Sequence, residues 1–147
     1  MDQEMNKDIC GLVVNSAIAF VSSVNQDGFP NTKAMLNLKR DDIKTHYFST
    51  NRSSKRVAQF LANPKASIYF CEQANFKGLL LVGSMEVMTD RPTREMLWVD
   101  GFEMYYPKGI DDDDYVVLKF TAQWGNYYHG LHNSTFTIEE LLKEIIL

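Results

Sequence analysis

The sequence predicts a mainly β protein, an antiparallel meander or small barrel with helices at its periphery. Six segments have the length and the apolar or β-branched content of strands, and most are neighbours along the chain. Short turns join neighbouring strands into antiparallel pairs, because a parallel crossover needs about a dozen residues or more. The 147 residues are enough for one domain with a substantial core, so we expect a single domain over residues 1–147.

The first two predicted strands flank the strongest turn signal in the chain. Residues 17–24 lead into Asn-Gln-Asp-Gly, and residues 30–39 begin with Pro30, whose missing N–H donor is tolerated at the start of a strand. Gly83, inside the fifth strand, indicates a β-bulge or a sharp bend. The remaining strands are predicted at residues 44–50, 65–70, 79–88 and 115–130.

Helical segments are predicted between and beside these strands. In the segment after the third strand, Val57, Phe60 and Leu61 would form one apolar face, and Ser53 or Ser54 would be the N-cap. The predicted helices are residues 3–14, residues 53–62, a segment that begins at Asp90, and residues 137–147.

Composition and charge exclude several classes of function. The hydrophobic content of 45% and the charged content of 23% are those of an ordinary globular protein. A net charge of −4 argues against a general nucleic-acid binder, which carries a basic excess. No apolar run approaches the ~20 residues of a membrane span, and the acidic, polar start of the chain differs from a signal peptide. Cys10 and Cys71 form no CxxC motif, so we expect reduced thiols and a cytoplasmic location.

The basic residues cluster in one segment of the chain. Between Asn31 and Lys65, eight Lys and Arg residues accompany two Asp residues, a net charge of +6, which leaves −10 for the remainder. Lys55 and Arg56 fall in the first turn of the second predicted helix, where the helix dipole disfavours positive charge. The cluster indicates a local anionic ligand, and a solvated basic face is the alternative interpretation.

Several motifs follow one another in a distinctive order. They are YFST, then SSKRVAQFLANPKASIYF, then an apolar strand with one glycine, then VGSMEVMTDRPTREMLW and YYPKGIDDDDYVVLKF. This order resembles the pyridoxamine-phosphate-oxidase-like family of FMN-binding split barrels, in its general-stress-protein branch, over about residues 10–130. The resemblance implies a six-stranded antiparallel split β-barrel, mainly β with peripheral helices.

The resemblance also implies a site for the phosphate of FMN. Ser54, Lys55 and Arg56 match the family's serine and basic pair, at the start of the helix whose N-terminus faces that phosphate. Lys33 matches the basic residue at the head of the family's second strand, and it would reach the phosphate or the ribityl region. A dianionic phosphate would outweigh the repulsion between these cations and the helix dipole.

Other matched positions would contact the rest of the flavin. Ser49 and Thr50 match the end of the third strand, whose polar groups line the ribityl chain in the family. Backbone around Ala34 and Met35 would meet the isoalloxazine edge.

Two further positions connect the flavin with the family's quaternary structure. Gly78 stands where other members offer a side chain towards the flavin, so only its backbone would contribute. The resemblance implies a homodimer with each flavin at the subunit interface, and Trp124 would then approach the flavin from the partner.

The implied activity follows from the cofactor, because FMN itself performs the redox chemistry. The resemblance therefore implies an FMN-dependent oxidoreductase that acts on a small molecule. No GxSxG, GxGxxG or Walker motif occurs, and no catalytic residue is assigned. The alternatives are a non-catalytic FMN-binding stress or redox-sensing protein, and a split barrel that binds haem or a deazaflavin. For haem, His46, His129 and His132 are the candidate axial ligands.

The C-terminal residues differ from those of true pyridoxamine phosphate oxidases, which carry a basic, histidine-containing motif that grips the substrate phosphate. Residues 137–147 are instead expected to form an acidic amphipathic helix. Thr137 and Glu140 have the spacing of a capping box, and Lys143 is the only cation in this segment. Oxidation of pyridoxamine phosphate is therefore not expected.

Two segments carry candidate metal ligands, and neither has a metal-binding pattern. His129 and His132 have no Cys or carboxylate nearby in sequence to complete a zinc set. The run from Asp111 to Asp114 lacks the alternating ligands and the late Glu of a calcium loop. We expect no metal site, and we interpret the Asp run as a solvated loop.

Overall fold

The structure, a computed structural model, describes residues 2–147, and its strands form one antiparallel sheet. The strands are β1 (Ile18–Val24), β2 (Pro30–Leu36), β3 (Lys39–Arg40), β4 (Thr45–Asn51), β5 (Lys65–Glu72), β6 (Lys77–Met88), β7 (Tyr115–His129) and β8 (His132–Thr137). The helices are α1 (Gln3–Asn15), α2 (Lys55–Ala62), α3 (Arg91–Leu97) and α4 (Ile138–Leu142).

The sheet curls into a barrel that stays open along one line. The strand order is β2-β1-β5-β6-β7-β4-β3, and β8 pairs with the second half of β7. β7 changes its neighbour along its length, because its first half lies between β6 and β4 and its second half between β6 and β8. β2 lies against β4 but forms no ladder with it. The predicted antiparallel split barrel is therefore confirmed.

The sheet contains eight strands within residues 2–147, whereas six were predicted. β8 was missed because only Phe136 is buried in it, so no alternation of apolar residues marks the strand.

The second strand ends at Leu36 rather than at residue 39. The Asn37 side chain donates hydrogen bonds of 2.8 Å to the carbonyls of Val13 and Ser16, which turns the chain out of the ladder. Strand pairing resumes at the two-residue β3.

Two apolar clusters hold the sheet and its helices together. The larger fills the barrel beneath α1 and α4, and the smaller packs α3 and residues 98–114 against β4 and β7. The large side chains most deeply buried in the larger cluster are Ile9, Ile43, Phe48, Ile68, Phe70, Leu79, Leu81, Leu118, Phe120, Tyr127 and Leu141. The smaller cluster consists of Tyr47, Leu97, Phe102, Tyr106, Tyr115 and Val117.

Two helices depart from the sequence prediction in part. Val57 and Phe60 are buried as predicted, but Leu61 is 71% exposed because the short α2 contacts the barrel through a narrow stripe. The capping box of Thr137 and Glu140 is formed, and α4 ends at residue 142 rather than 147. Beyond that point the N–H groups of Glu144 and Ile145 both donate hydrogen bonds of 3.0 Å to the carbonyl of Leu141, and the Ile145 side chain is buried in the core.

The predicted bulge at Gly83 is present. Val82 lies opposite Trp124, whereas Gly83 lies opposite Ala122, so β7 holds one extra residue at this point. A Cβ on Gly83 would lie 1.9 Å from the carbonyl oxygen of Thr121. The close approach of the two backbones therefore requires glycine.

Replacement of Gly83 by Ala should lower the free energy of unfolding by about 1–3 kcal/mol, because the methyl group would push β6 away from β7. Urea denaturation followed by far-UV circular dichroism measures this change. Gly11→Ala is the matched control. A Cβ there meets only Asn15 Nδ2, at 3.8 Å, so Ala on α1 should leave the stability unchanged or raise it by up to about 1 kcal/mol. Equal effects of the two substitutions would contradict this account of the bulge.

His46 is a polar residue inside the larger core. Its side chain is 1% exposed and lies between the rings of Phe70 and Phe120, at centroid distances of 5.8 and 6.2 Å. Nε2 donates a hydrogen bond of 2.8 Å to the carbonyl of Ile43, and Nδ1 has no partner within residues 2–147. Burial lowers the pKa of His46 to about 4, so the ring is neutral at physiological pH.

Acid should destabilise the protein through His46. The unfolded state protonates this histidine near pH 6.5, but the folded state does so only near pH 4. Its contribution to stability is therefore complete above pH 6.5 and is lost as the pH falls to 4, by about 3 kcal/mol at most. Denaturant titrations between pH 7 and 4 should show this loss in the wild type and less of it in His46→Gln. His132→Gln, which removes an exposed histidine, should keep the wild-type slope.

Candidate functional site

The start of α2 has unused hydrogen-bond donors. Ser54 is the N-cap residue, but its side chain accepts no capping hydrogen bond, and the first turn of α2 contains no acidic residue. The Ser54 Oγ atom is buried and has no partner among the residues that the structure describes. Because the first N–H groups of a helix have no intrahelical acceptor, this helix end presents donors and partial positive charge without a partner.

A cavity of about 390 Å³ lies in front of this helix end. Lys33 from β2 and Lys55 and Arg56 from α2 contribute three cations to its wall, and no carboxylate lines it. Within the described residues, none of these three cations forms an ion pair. We call this the cationic cavity. Its lining residues are Val21, Ser23, Asn31, Thr32, Lys33, Ser54, Lys55, Arg56, Gln59 and Phe60.

A second cavity, of about 190 Å³, lies in the opening between β2 and β4. Arg56 lines both cavities, and its Nη1 atom donates a hydrogen bond of 3.0 Å to Thr50 Oγ1 on β4. We call this the split cavity, since the open line of the barrel forms it. Its lining residues are Ala34, Met35, Leu36, Ser49, Thr50, Asn51, Arg56, Tyr105 and Tyr106.

Eight of the ten residues predicted for the cofactor site line these two cavities, which share Arg56. They are Lys33, Ala34, Met35, Ser49, Thr50, Ser54, Lys55 and Arg56. Gly78 and Trp124 lie elsewhere on this chain. A Cβ on Gly78 would lie 1.8 Å from the hydroxyl of Tyr69, and Trp124 is 40% exposed on β7.

Tyr105 and Tyr106, which form an aromatic wall of the split cavity, were not predicted as site residues. Tyr105 and Tyr106 come from the segment between α3 and β7, more than 50 residues after Ser49 and Thr50. Tyr106 is buried and hydrogen-bonds with Ser49, and its burial raises the pKa of the phenol. The only signal in the sequence was the motif YYPKGIDDDDYVV, which by itself does not indicate which strand the loop contacts.

The prediction of a solvated Asp run is wrong for two of its four residues. Asp112 is 7% exposed, and its carboxylate accepts the backbone N–H groups of Lys108 and Asp114. Asp114 accepts hydrogen bonds from Asn51 and Ser53, which lower the pKa of its carboxyl group. Within residues 2–147, no group of three His, Cys, Asp or Glu side chains is placed to hold a metal ion.

None of the three histidines lines either cavity. His46 is enclosed in the core, as described above, and His129 and His132 face each other across the β7–β8 hairpin. The Nδ1 atom of His129 lies 4.0 Å from the carboxylate of Asp8 on α1. The histidines are thus placed in the core and at the hairpin, away from the open line of the barrel.

A curled antiparallel sheet that is open between β2 and β4, with unpaired cations at the opening, defines a split barrel with a candidate anion-binding site. The chain belongs to the pyridoxamine 5'-phosphate oxidase family, whose sequence model matches residues 5–129. A search of curated proteins found no match.

Solved structures agree with this assignment. A protein from Clostridium acetobutylicum related to general stress protein 26 of B. subtilis, of the pyridoxinephosphate oxidase family, is 46% identical. The alignment covers 96% of this chain and 99% of that one, with a TM-score of 0.87. General stress protein 26 of Bacillus anthracis has 16% identity over 92% of this chain and 99% of that one, with a TM-score of 0.75.

A heme binding protein from Mycobacterium smegmatis shares the fold. Its TM-score is 0.74 at 13% identity, over 97% of this chain and 62% of that one.

Among residues 2–147, no helix has the length and apolar character needed to cross a bilayer.

Proposed function

We propose that the protein binds FMN in the two joined cavities and is an FMN-dependent oxidoreductase for a small molecule. The observation that carries the proposal is the cationic cavity, where three unpaired cations and the unpartnered Ser54 hydroxyl meet the start of α2. Such a set of donors fits a phosphate monoester, because the dianion offers several acceptor oxygens and attracts the helix dipole.

The phosphate would be held from two sides. Lys55, Arg56 and the Ser54 hydroxyl donate from α2, and Lys33 donates from β2. Lys33 supplies a point charge, whereas Arg56 has a planar fork that also donates to Thr50. Arg56 therefore joins the phosphate end of the site to the split cavity.

We expect the remainder of the flavin to contact the residues of the split cavity. β2 is an edge strand that pairs only with β1, so half of its backbone N–H and C=O groups have no strand partner. Backbone groups at Ala34 and Met35 can therefore hydrogen-bond with the polar edge of an isoalloxazine ring. Ser49 and Thr50 also line this cavity, and their hydroxyls would contact the ribityl chain.

When bound, FMN would supply hydride or electron transfer, and the protein supplies binding and orientation. The substrate that we expect is a small molecule other than pyridoxamine phosphate, since Lys143 is the only cation in residues 133–147 and no second phosphate site is offered there. None of the three histidines considered as axial haem ligands lines the cavities.

We further propose that a second copy of the chain covers the outer face of the sheet. The outer face of an antiparallel sheet is normally polar, but here Ile18, Leu36 and Trp124 are each about two-fifths exposed on it. An apolar hollow of about 270 Å³ lies on the same face beside Tyr69 and Tyr128. A dimer formed through this face would bring Trp124 to the interface, as the resemblance to the family implies, whereas Gly78 is buried beneath the Tyr69 side chain.

Replacement of both Lys55 and Arg56 by Ala should weaken FMN binding at least tenfold, because each charged hydrogen bond is worth roughly 1.5–3 kcal/mol. Riboflavin lacks the phosphate, so its affinity should fall by much less than that of FMN. Equilibrium titrations followed by flavin fluorescence measure both affinities.

The matched control is the double variant Lys39→Ala, Lys65→Ala. It removes two exposed cations of the same basic segment that line neither cavity. It should keep FMN affinity within about twofold, because it removes the same number of charges from exposed positions where solvent and salt screen them from the cavity. Equal losses of FMN affinity in the two double variants would indicate a diffuse electrostatic effect in place of a site.

Multiple turnovers of NADH oxidation by the FMN-loaded wild type would separate an enzyme from a non-catalytic flavin binder.

Trp124→Glu should convert the dimer into a monomer and lower FMN affinity, because a charge would be buried in the proposed interface. Sizing chromatography with light scattering measures the mass. Leu131→Glu, at the exposed tip of the β7–β8 hairpin, is the control and should remain a dimer. A wild-type chain that is monomeric with FMN bound would refute the proposed interface.

A further inference from the structure

The turn that leads into α2 is held by a carboxylate from a distant part of the chain. Asp114 accepts hydrogen bonds of 2.8 Å from Asn51 Nδ2 and from the backbone N–H of Ser53. It also accepts the Ser53 hydroxyl at 3.1 Å. Its own backbone carbonyl accepts the N–H of Arg52 at 2.8 Å. Asp114 thus engages every residue from 51 to 53.

These hydrogen bonds decide which donors remain free at the helix start. The N–H groups of Arg52 and Ser53 point to Asp114, and the N–H of Ser54 donates to the carbonyl of Asn51 at 3.0 Å. The first backbone donors without a partner are therefore those of the first turn of α2 itself. Asp114 therefore satisfies the backbone donors on one side of the turn, and the free donors at the helix start lie on the side of the cationic cavity.

Asp114 is itself held rigidly. Its backbone N–H donates to the Asp112 carboxylate at 2.9 Å, and Arg94 of α3 donates to the carbonyl of Asp112 at 2.6 Å. The next residue, Tyr115, is fully buried, and its hydroxyl donates to the carbonyl of Arg94 at 2.8 Å. A connected set of hydrogen bonds therefore runs from α3 to the start of α2.

We propose that Asp114 is a positioning residue for the anion site, setting the turn 51–53 so that Ser54, Lys55 and Arg56 face one phosphate. This inference rests on the proposed binding of FMN. Asp114 lines neither cavity, so it acts through the turn and does not touch the ligand. A carboxylate close to an anion site opposes anion binding by its charge. The geometric and the electrostatic effects of its removal thus have opposite signs.

The test compares Asp114→Asn with Asp113→Asn. Each removes one negative charge from the same loop, but Asp113 is exposed and makes no hydrogen bond with the turn. Asp114→Asn should weaken FMN binding about tenfold, since an amide N–H₂ would replace an oxygen that accepts from the turn. Asp113→Asn should leave FMN affinity unchanged or slightly increase it. Riboflavin affinity should be the same in all three proteins.

A milder substitution guards against a folding defect. Ser53→Ala removes only the exposed hydroxyl contact with Asp114, and it should weaken FMN binding about two- to threefold without an effect on riboflavin. Amide hydrogen exchange adds a readout that needs no flavin. Exchange at Arg52 and Ser53 should accelerate in Asp114→Asn and stay as in the wild type in Asp113→Asn.

Two results on the variants would overturn the inference. FMN affinity in Asp114→Asn that matches Asp113→Asn would show that the carboxylate acts by charge alone. Equal losses of FMN and riboflavin affinity would show a general structural role. A wild-type chain that does not prefer FMN to riboflavin would instead refute the proposed function, before any variant is compared, and the inference would fall with it.

Discussion

The open line between β2 and β4 is the constraint on which the rest of the structure depends. β2 pairs with β1 on one side only, and its other edge meets β4 without a ladder. An unpaired edge is normally a liability in a β protein. Here it leaves backbone donors and acceptors beside the start of α2, so the incomplete closure of the barrel creates the two cavities. A closed barrel of the same strands would have had a filled interior at this place.

Charge is concentrated where the barrel is open. A chain of net charge −4 places Lys33, Lys55 and Arg56 around one cavity with no carboxylate among its lining residues. Cations at a helix N-terminus oppose the helix dipole, so this arrangement costs stability in the absence of an anion. Local departures from optimal stability of this kind are expected at sites of function. A bound phosphate would offset the repulsion, which couples ligand binding to the stability of the fold.

The segment between α3 and β7 serves the site from the second apolar cluster. Phe102, Tyr106 and Tyr115 pack with Leu97 of α3 and Tyr47 of β4, which anchors the segment beside the opening. From this anchored position, Tyr105 and Tyr106 wall the split cavity, and Asp114 holds the turn before α2. Packing outside the cavities therefore determines the shape of the candidate site, as supporting residues do in designed sites.

Local patterns in the sequence determined most strands, the bulge at Gly83, the capping box of α4 and the cationic residues that line the cavity. Each of these depends on residues that are close together in the chain. The tertiary structure alone decided the pairing of the polar β8, the exposure of Leu61, and the contacts of Tyr106 and Asp114 with β4 and its following turn. Tyr106 and Asp114 contact residues more than 50 positions away in the chain, and the exposure of Leu61 depends on which side of a short helix meets the barrel. β8 lies next to β7 in sequence, but only Phe136 is buried in it, so no alternation of apolar residues marks the strand. No local periodicity encodes any of these features.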